Sequence, residues 1–284
     1  MSEVLSAAPS PFSILLKAGS TARRKPKGKP QLPNLSSSMQ DVRVDAANLA
    51  GYNRVCGFEP RDTLPITYPQ VMVSALHMHL MSKPEFPLPM LGLVHVRNHI
   101  EQTRLLRADE TFGVNVAIGE SRDVRAGLEF DLLTEFSAEG AVVWKAVTTI
   151  LFRVPGPKGQ GGKPPAAPAP QLSQYQSFDA PADIGRQYAK VSGDYNPIHM
   201  SALSAKLFGF PRAIAHGMWT LARVAALVES ELAGKAPSTL DVQFKQPLLL
   251  PGKIAAKYQA GAGGIEFAVL ARGSDKVHLT GSLR

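Results

Sequence analysis

Two stretches of the chain carry apolar residues at helical spacing. Residues 68–82 (YPQVMVSALHMHLMS) form the first stretch, and the second lies within residues 216–234. Pro69 suits the first turn of a helix, and Lys83-Pro84 ends the pattern. Because the first stretch is apolar on most sides, we expect a largely buried helix there.

Alternating apolar and polar residues follow each of these helices and predict antiparallel strands. The strands are expected within residues 93–100, 112–120, 128–137 and 142–154 in the first half, and within 240–254, 255–262, 264–272 and 276–283 in the second. The two halves therefore share one order of elements, and Gln246 falls where Gln102 does. Such an internal repeat predicts two copies of one supersecondary unit.

Composition divides the 284 residues into four parts. Residues 1–40 are rich in Ser, Pro, Lys and Arg, so we expect a basic, largely irregular arm with at most a short strand at residues 12–16. Residues 41–154 form the first predicted domain and residues 172–284 the second. Between them, PGPKGQGGKPPAAPAPQ (residues 155–171) is a linker by composition, since Pro and Gly exclude regular structure.

The net charge of +8 is concentrated in the N-terminal arm, where six basic residues lie against the single acid Glu3. No interleaved aromatic residues or known binding module accompany these charges, so we expect no nucleic-acid partner. The chain contains no apolar run of the length that spans a bilayer, so we expect no membrane association. The single cysteine, Cys56, fits a buried position in a reducing compartment. The expected location is the cytoplasm.

Two side chains suited to acid–base chemistry lie five residues apart, Asp194 and His199. Pro197 lies between them, fixes its own φ and disfavours a helical Asn196. We therefore expect an irregular loop that turns both side chains toward one water molecule. The plainer interpretation is that both are solvated loop residues, because Asn-Pro is also an ordinary turn signal.

The residues around this pair resemble a known signature. The string Ser-Gly-Asp-Tyr-Asn-Pro-Ile-His (residues 192–199), with Gly209-Phe210 and His216-Gly217-Met218 downstream, is similar to the hydratase-2 motif of MaoC-like dehydratases. The resemblance implies an α+β fold of two hotdog domains, each with a long central helix wrapped by an antiparallel sheet. The two domains would be fused as a pseudo-dimer. The first half carries only RDTLPITYP before its helix, so its domain is expected to be non-catalytic.

The resemblance also implies roles for individual residues. Asp194 and His199 would be the catalytic pair, and the Gly217 amide, at a helix start, would stabilise the thioester oxygen. The residues expected to support the loop are Asn196, Ser192 and Gly193. Weaker candidates for binding substrate phosphates are Arg212 and Lys245, and His216 is expected to shape the entrance of the helix.

The implied reaction is reversible hydration of trans-2-enoyl thioesters to (R)-3-hydroxyacyl thioesters. The implied substrate is an acyl-CoA or an acyl carrier protein, with coenzyme A or phosphopantetheine as part of the substrate and no separate cofactor or metal. The chain would act as a monomeric pseudo-dimer or as a homodimer.

Two other functions remain open from the sequence. A hotdog thioesterase would need an acid on the central helix, and Glu229 and Glu231 lie late for that role. A catalytically inactive acyl-thioester-binding subunit would keep the fold and bind without turnover.

Overall fold

A single sheet links both halves of the computed structural model, which describes residues 2–24, 26, 30–154, 170–232, 236 and 238–284. The elements of the first half are β1 (Ser2–Leu5), α1 (Pro11–Thr21), β2 (Ser36–Arg43), α2 (Ala46–Cys56), α3 (Tyr68–Met72), α4 (Ser74–Ser82), β3 (Leu93–Gln102), β4 (Thr111–Val124), β5 (Gly127–Ala138) and β6 (Ala141–Arg153). Those of the second half are β7 (Gln174–Ala180), α5 (Ile184–Ser192), α6 (Pro197–Met200), α7 (Ala202–Lys206), α8 (Gly217–Val228), a 3₁₀ turn (Glu229–Leu232), β8 (Thr239–Phe244), β9 (Gly252–Gly261), β10 (Gly264–Ala271) and β11 (Val277–Leu283). The linker predicted at residues 155–171 lies almost wholly outside the described residues.

The order of strands repeats in mirror fashion about the centre of the sheet. The strands run β1-β2-β4-β5-β6-β3-β8-β11-β10-β9-β7, and β3 pairs with β8 in antiparallel register, Asn98 opposite Val242. On either side of this pair, β2 to β6 in one half correspond to β7 to β11 in the other. The α+β fold of two fused hotdog units is therefore confirmed.

Each half wraps its sheet around a helical element. In the second half this element is α8, which is apolar along most of its length and buries Trp219, Leu221 and Val224. In the first half the single helix predicted over residues 68–82 is divided at Val73, whose φ and ψ of −102° and −1° depart from helical values. The break starts α4 at Ser74, whose hydroxyl donates to the Ser192 carbonyl of the other half.

Among the described residues of the N-terminal arm, the structure contains regular elements that the prediction of a largely irregular segment for residues 1–40 did not include. β1 joins the sheet beside β2, and residues 12–16, expected as a strand, belong to α1. Local signals explain the helix, because the Ser10 side chain accepts from the Ser13 N–H at 3.2 Å and Pro11 occupies the first turn. Composition alone misjudged the segment, since Ser and Pro also start helices.

The two halves differ most after their first large helix. Both α2 and α5 end in a left-handed glycine, Gly57 (φ 79°) and Gly193 (φ 72°). The next residue is the buried Phe58 in the first half and Asp194 in the second. The second half then inserts α6 and α7 before its central helix. The fold therefore supplies two equivalent turns, and the position after the glycine is ionisable in only the second of them.

One further prediction concerns burial. Cys56 is a free cysteine and is fully buried, as expected. In the described part of the chain, no helix has both the length and the apolar character needed to cross a membrane.

Candidate active site

The turn after α5 fixes Asp194 through short-range hydrogen bonds. Gly193 ends the helix with its N–H donating to the Ala189 carbonyl at 2.9 Å. The Ser192 hydroxyl accepts from the Asp194 N–H at 3.3 Å, and Asp194 Oδ1 accepts from the Asn196 N–H at 3.1 Å. Ser192, Gly193 and Asn196 thus all take part in the hydrogen bonds of this turn, and their role in supporting a reaction stays a prediction.

His199 lies on a short helix, which corrects the prediction of an irregular loop. The Asn196 side chain caps α6 by accepting from the Ile198 N–H at 3.4 Å, and Pro197 occupies its first position. Asn196-Pro197, which prevents one continuous helix through this segment, also begins the new helix α6. Asp194 and His199 therefore lie on opposite sides of a helix cap, and the rule for facing neighbours within one helix does not apply to them.

The hydrogen bond of His199 determines its tautomer. Its Nδ1 lies 2.8 Å from the Ile214 carbonyl oxygen, which can only accept, so Nδ1 carries the proton. In the neutral ring, Nε2 then keeps its lone pair. Because His199 is only 8% exposed, this lone pair is a base largely shielded from bulk water.

A glycine in α5 allows His199 to approach that helix. A Cβ on Gly185 would lie 2.1 Å from the His199 carbonyl oxygen, a contact that no side chain tolerates. Sequence reasoning did not identify Gly185. Its only signal is a glycine in the first turn of an otherwise regular helix.

His216 contacts both Asp194 and His199, whereas the prediction gave it only a role at the entrance of the helix. Its ring stacks on that of His199 with centroids 3.7 Å apart. Its Nε2 lies 3.0 Å from the Asp194 carbonyl oxygen and therefore donates to it. His216 thus holds both members of the pair, one through its ring face and the other through the backbone.

The three side chains lie close enough to raise the question of a metal site. One Asp194 carboxylate oxygen and one nitrogen each of His199 and His216 lie within 4.8 Å of one another. A metal requires lone pairs that lie in the ring planes and converge on one point. The two rings instead stack face to face at 25°, and His216 Nε2 donates to a carbonyl. This arrangement suits a water molecule better than a metal ion.

Electrostatics leave the cluster with one anion and two neutral rings near pH 7. Burial lowers the pKa of His199 below its usual value, and burial together with His199 lowers the pKa of His216 to about 3. Burial opposes ionisation of Asp194, but His216, His199 and the Asn196 N–H hold its pKa below the usual range. The Asp194 side chain is also 37% exposed, which favours the carboxylate. Both members of the pair can therefore accept protons.

A cavity of about 250 Å³ extends from Asp194 into the first half of the chain. The turn that carries Asp194 forms one wall, through residues 192–197. Most of the remaining wall is apolar and includes four methionines, Met78, Met81, Met90 and Met218. The polar residues that line it from the first half include Gln70, Ser74, His77 and His95. The first half, expected to be non-catalytic, thus supplies most of the cavity wall.

The remaining predicted residues are Gly217, Arg212 and Lys245. Gly217 begins α8, so its N–H has no partner within that helix, and an added Cβ would lie 2.9 Å from the Phe244 ring. Arg212 and Lys245 are exposed and do not line the cavity. Their role in binding phosphates stays a prediction.

Comparisons with known proteins agree with this geometry. Residues 162–267 match the family model described as the MaoC like domain. The chain is 35% identical over 278 residues to 3-hydroxyacyl-thioester dehydratase X of Mycobacterium tuberculosis, covering 97% of this chain and 98% of that protein. It is 30% identical over 77 residues to the (R)-specific enoyl-CoA hydratase of Aeromonas caviae, covering 26% of this chain and 58% of that protein.

Solved structures show the same relationship. The crystal structure of HtdX from Mycobacterium tuberculosis superimposes with a TM-score of 0.77 at 34% sequence identity, covering 87% of this chain and 98% of that one. With a full-length relative above 30% identity and a matching fold, the chain belongs to the MaoC-like dehydratase family.

Proposed function

We propose that the protein reversibly hydrates trans-2-enoyl thioesters to (R)-3-hydroxyacyl thioesters. The observation that carries the proposal is the pairing of the Asp194 carboxylate with an unprotonated His199 nitrogen beside a largely apolar cavity. One carboxylate oxygen of Asp194 and one ring nitrogen of His199 lie within 4.8 Å of each other, so the pair is close enough to bind one water molecule. The curated relatives named as dehydratases and hydratases support the same reaction.

The attacking water gives one proton to the pair while its oxygen bonds to Cβ of the substrate. The electrons of the Cα–Cβ double bond move toward the thioester carbonyl, which becomes enolate-like. The pair then returns a proton to Cα from the same face, giving syn addition, and the reverse sequence removes water. A positioned acid–base group of this kind contributes roughly 10²–10⁴-fold in rate.

The charge that develops on the thioester oxygen needs a donor on the other side of the substrate. The Gly217 N–H at the start of α8 is the proposed donor, because the first amides of a helix have no intrahelical partner. Loss of one such donor costs about 3–4 kcal/mol of transition-state stabilisation.

The acyl tail is proposed to occupy the cavity in the first half. Methionine side chains are flexible and adapt to ligands of different shape. The thioester and its carrier would remain at the mouth of the cavity near Tyr195, which is 38% exposed. Coenzyme A is the proposed carrier, with an acyl carrier protein as the other candidate, and no separate cofactor is needed. The buried, free Cys56 supports the proposed cytoplasmic location.

The thioesterase alternative loses its proposed acid in this structure. Glu229 forms an ion pair with Arg61 at 3.0 Å, and neither Glu229 nor Glu231 lines the cavity. The alternative of an inactive binding subunit is addressed by turnover measurements.

The test follows the loss of enoyl absorbance with crotonyl-CoA and longer trans-2-enoyl-CoAs. Asp194→Asn and His199→Ala should each lower kcat by about 10²–10⁴-fold, with (R)-3-hydroxyacyl product from the wild type. Asp241→Asn, the same change at a side chain that pairs with His99 on β3, is the matched control and should retain wild-type kcat. Full activity in both site variants would show that the assigned pair is wrong. Binding without turnover by the wild type would favour the inactive subunit.

A further inference from the structure

The N-terminal helix α1 contributes a residue to the lining of the cavity that begins at the turn after α5. Ile14 lines the cavity and is 4% exposed. It comes from a segment about 180 residues before the catalytic pair in sequence. The position of α1 in the fold therefore bears on the shape of the substrate cavity.

The cavity runs along α4 from its catalytic end to its far end. Ser74, the first residue of α4, bonds to Ser192 beside the catalytic turn, and Met78 and Met81 line the cavity further along. At 1.5 Å of rise per residue, Met81 lies about 10 Å from Ser74 along the helix axis. α1 packs against α4, and Arg24, which follows α1, bonds to the Met81 carbonyl. Ile14 thus reaches the cavity from an element that packs on α4 and is tied to the far end of α4 through Arg24.

Hydrogen bonds hold α1 in this position. The Arg24 guanidinium donates to four backbone carbonyls, those of Met81 (3.0 Å), Leu88 (3.3 Å), Ser82 (2.8 Å) and Lys83 (2.9 Å). The Thr21 hydroxyl accepts from the N–H of Met90, another residue of the cavity wall, at 3.0 Å. On β1, Glu3 pairs with Lys83 at 2.7 Å. These contacts attach β1 and the end of α1 to residues 81–90, the stretch that includes the cavity-lining Met81 and Met90.

We infer that Ile14 closes the acyl end of the cavity and determines which chain lengths the enzyme accepts. The inference rests on the proposed function and extends it to the substrate class, enoyl thioesters whose tails end before α1. An apolar side chain at the end of a pocket discriminates by volume, and one methylene there changes kcat/KM by about 10–200-fold. Arg24 is a positioning residue in this scheme, because it acts through the placement of Ile14.

The readout is the ratio of kcat/KM for trans-2-hexadecenoyl-CoA to that for crotonyl-CoA. Ile14→Ala should raise this ratio about tenfold or more, and Ile14→Trp should lower it by a similar factor. Arg24→Ala should raise the ratio as well, since α1 loses its anchor. Val4→Ala is the control, because Val4 lies on the same arm and is 73% exposed, and it should leave the ratio unchanged. An unchanged ratio in both Ile14 variants overturns the inference.

A second measurement separates this inference from the proposed reaction. In the Asp194→Asn background, calorimetry compares the affinities of hexadecanoyl-CoA and butyryl-CoA with Ile14 intact and replaced. The same shift toward the longer chain on Ile14→Ala is expected there, whether or not the wild type hydrates enoyl-CoA. If hydration is absent but this shift occurs, the proposed reaction fails and the role of Ile14 stands. If hydration occurs but neither ratio moves, the reaction stands and the role of Ile14 fails.

Discussion

At the scale of single residues, the site depends on how closely backbone and side chains approach one another. His199 is held through its Nδ1 hydrogen bond to Ile214, its stacking on His216 and the contact of its carbonyl with Gly185. None of these three residues carries out the proposed chemistry. Each one fixes where the Nε2 lone pair lies, and this position decides whether one water contacts both His199 and Asp194.

The approach of Gly185 gives a direct test of this positioning. Gly185→Ala places a Cβ 2.1 Å from the His199 carbonyl oxygen, so α5 or α6 must move. We expect kcat to fall by about 10²-fold, as for a displacement on the order of 1 Å. The free energy of unfolding should fall by about 1–3 kcal/mol from overpacking.

The control for Gly185 is Gly261→Ala, because an added Cβ there meets no atom within 4 Å. Steady-state kinetics and thermal unfolding check both variants side by side. Wild-type kcat in Gly185→Ala would mean that this contact does not position His199.

Residue types, spacing and the family resemblance sufficed to bring the pair and the residues around its turn into one candidate site, and their roles stay predictions. Asp194, Asn196 and His199 carry their chemistry in one short segment, so a local motif identifies them. Gly185 and Ile14 act through contacts made by folding. Their positions in the sequence carry no matching signal, because a glycine in a helix or an isoleucine in a basic arm has many ordinary explanations.

At the scale of elements, the end of α5 decides where the acid of the pair points. Gly193 has a φ of 72°, and the nearest atom to a Cβ added there is the Ser74 hydroxyl oxygen at 3.5 Å, an ordinary contact. A substitution is therefore penalised for its backbone conformation and not for lack of space. The direction of the chain through Asp194 follows from this left-handed residue.

Gly193→Ala should lower the free energy of unfolding by about 1–2 kcal/mol and lower kcat, because the turn relaxes away from the left-handed conformation. Gly273→Ala is matched in backbone strain, with a φ of 76° and no atom within 4 Å of the added Cβ, but it lies in the β10–β11 turn. It should lose similar stability and keep its kcat. Equal losses of kcat in both variants would mean that general destabilisation explains the effect.

The order of elements was more predictable than their boundaries. The alternation in β3 to β6 and the apolar stretch of α8 follow directly from burial of one face or one stripe. The break at Val73 was not predictable, because the residues on both sides of it favour a helix. It separates α3 from α4 in the half whose Ser74 bonds across to Ser192, a tertiary contact that spacing does not reveal.

At the scale of the whole molecule, the two halves share one cavity, and its walls bury histidines in neutral form. Burial lowers the pKa of His77 and of His95 to about 4. These folded values lie below the usual value of about 6.5, so the unfolded chain binds more protons between pH 6.5 and pH 4. Stability should therefore be fully present above pH 6.5 and decrease as the pH falls through that range.

His77→Gln should make this pH dependence shallower by up to about 1.4 kcal/mol per pH unit, because one titrating group is removed. Glutamine retains a polar group for the Thr134 hydroxyl, which lies 2.7 Å from His77 Nε2. Denaturant unfolding between pH 4.5 and pH 7.5 measures the slope.

His99→Gln should change the slope in the opposite direction. Although burial opposes protonation of His99, its bonds to Glu101 and Asp241 raise its pKa. The stabilisation from these bonds is fully present below about pH 6.5 and is lost as the pH rises above it, so its removal makes the stability rise more steeply with pH on the alkaline side of pH 6.5. A slope unchanged by His77→Gln would mean that His77 is not buried in neutral form.

The equivalent turns at Gly57 and Gly193 have a consequence for how such an enzyme diversifies. In a symmetric homodimer every substitution occurs twice, once beside each active centre, so a change that enlarges the substrate space also alters the turn that performs the reaction. Here one gene encodes both copies, and Phe58 occupies the position equivalent to Asp194. Under the proposed function, selection can therefore reshape the half that supplies most of the cavity wall without altering the half that carries Asp194 and His199. Such a chain has one active centre where a symmetric dimer has two, and its substrate range can evolve separately from its chemistry.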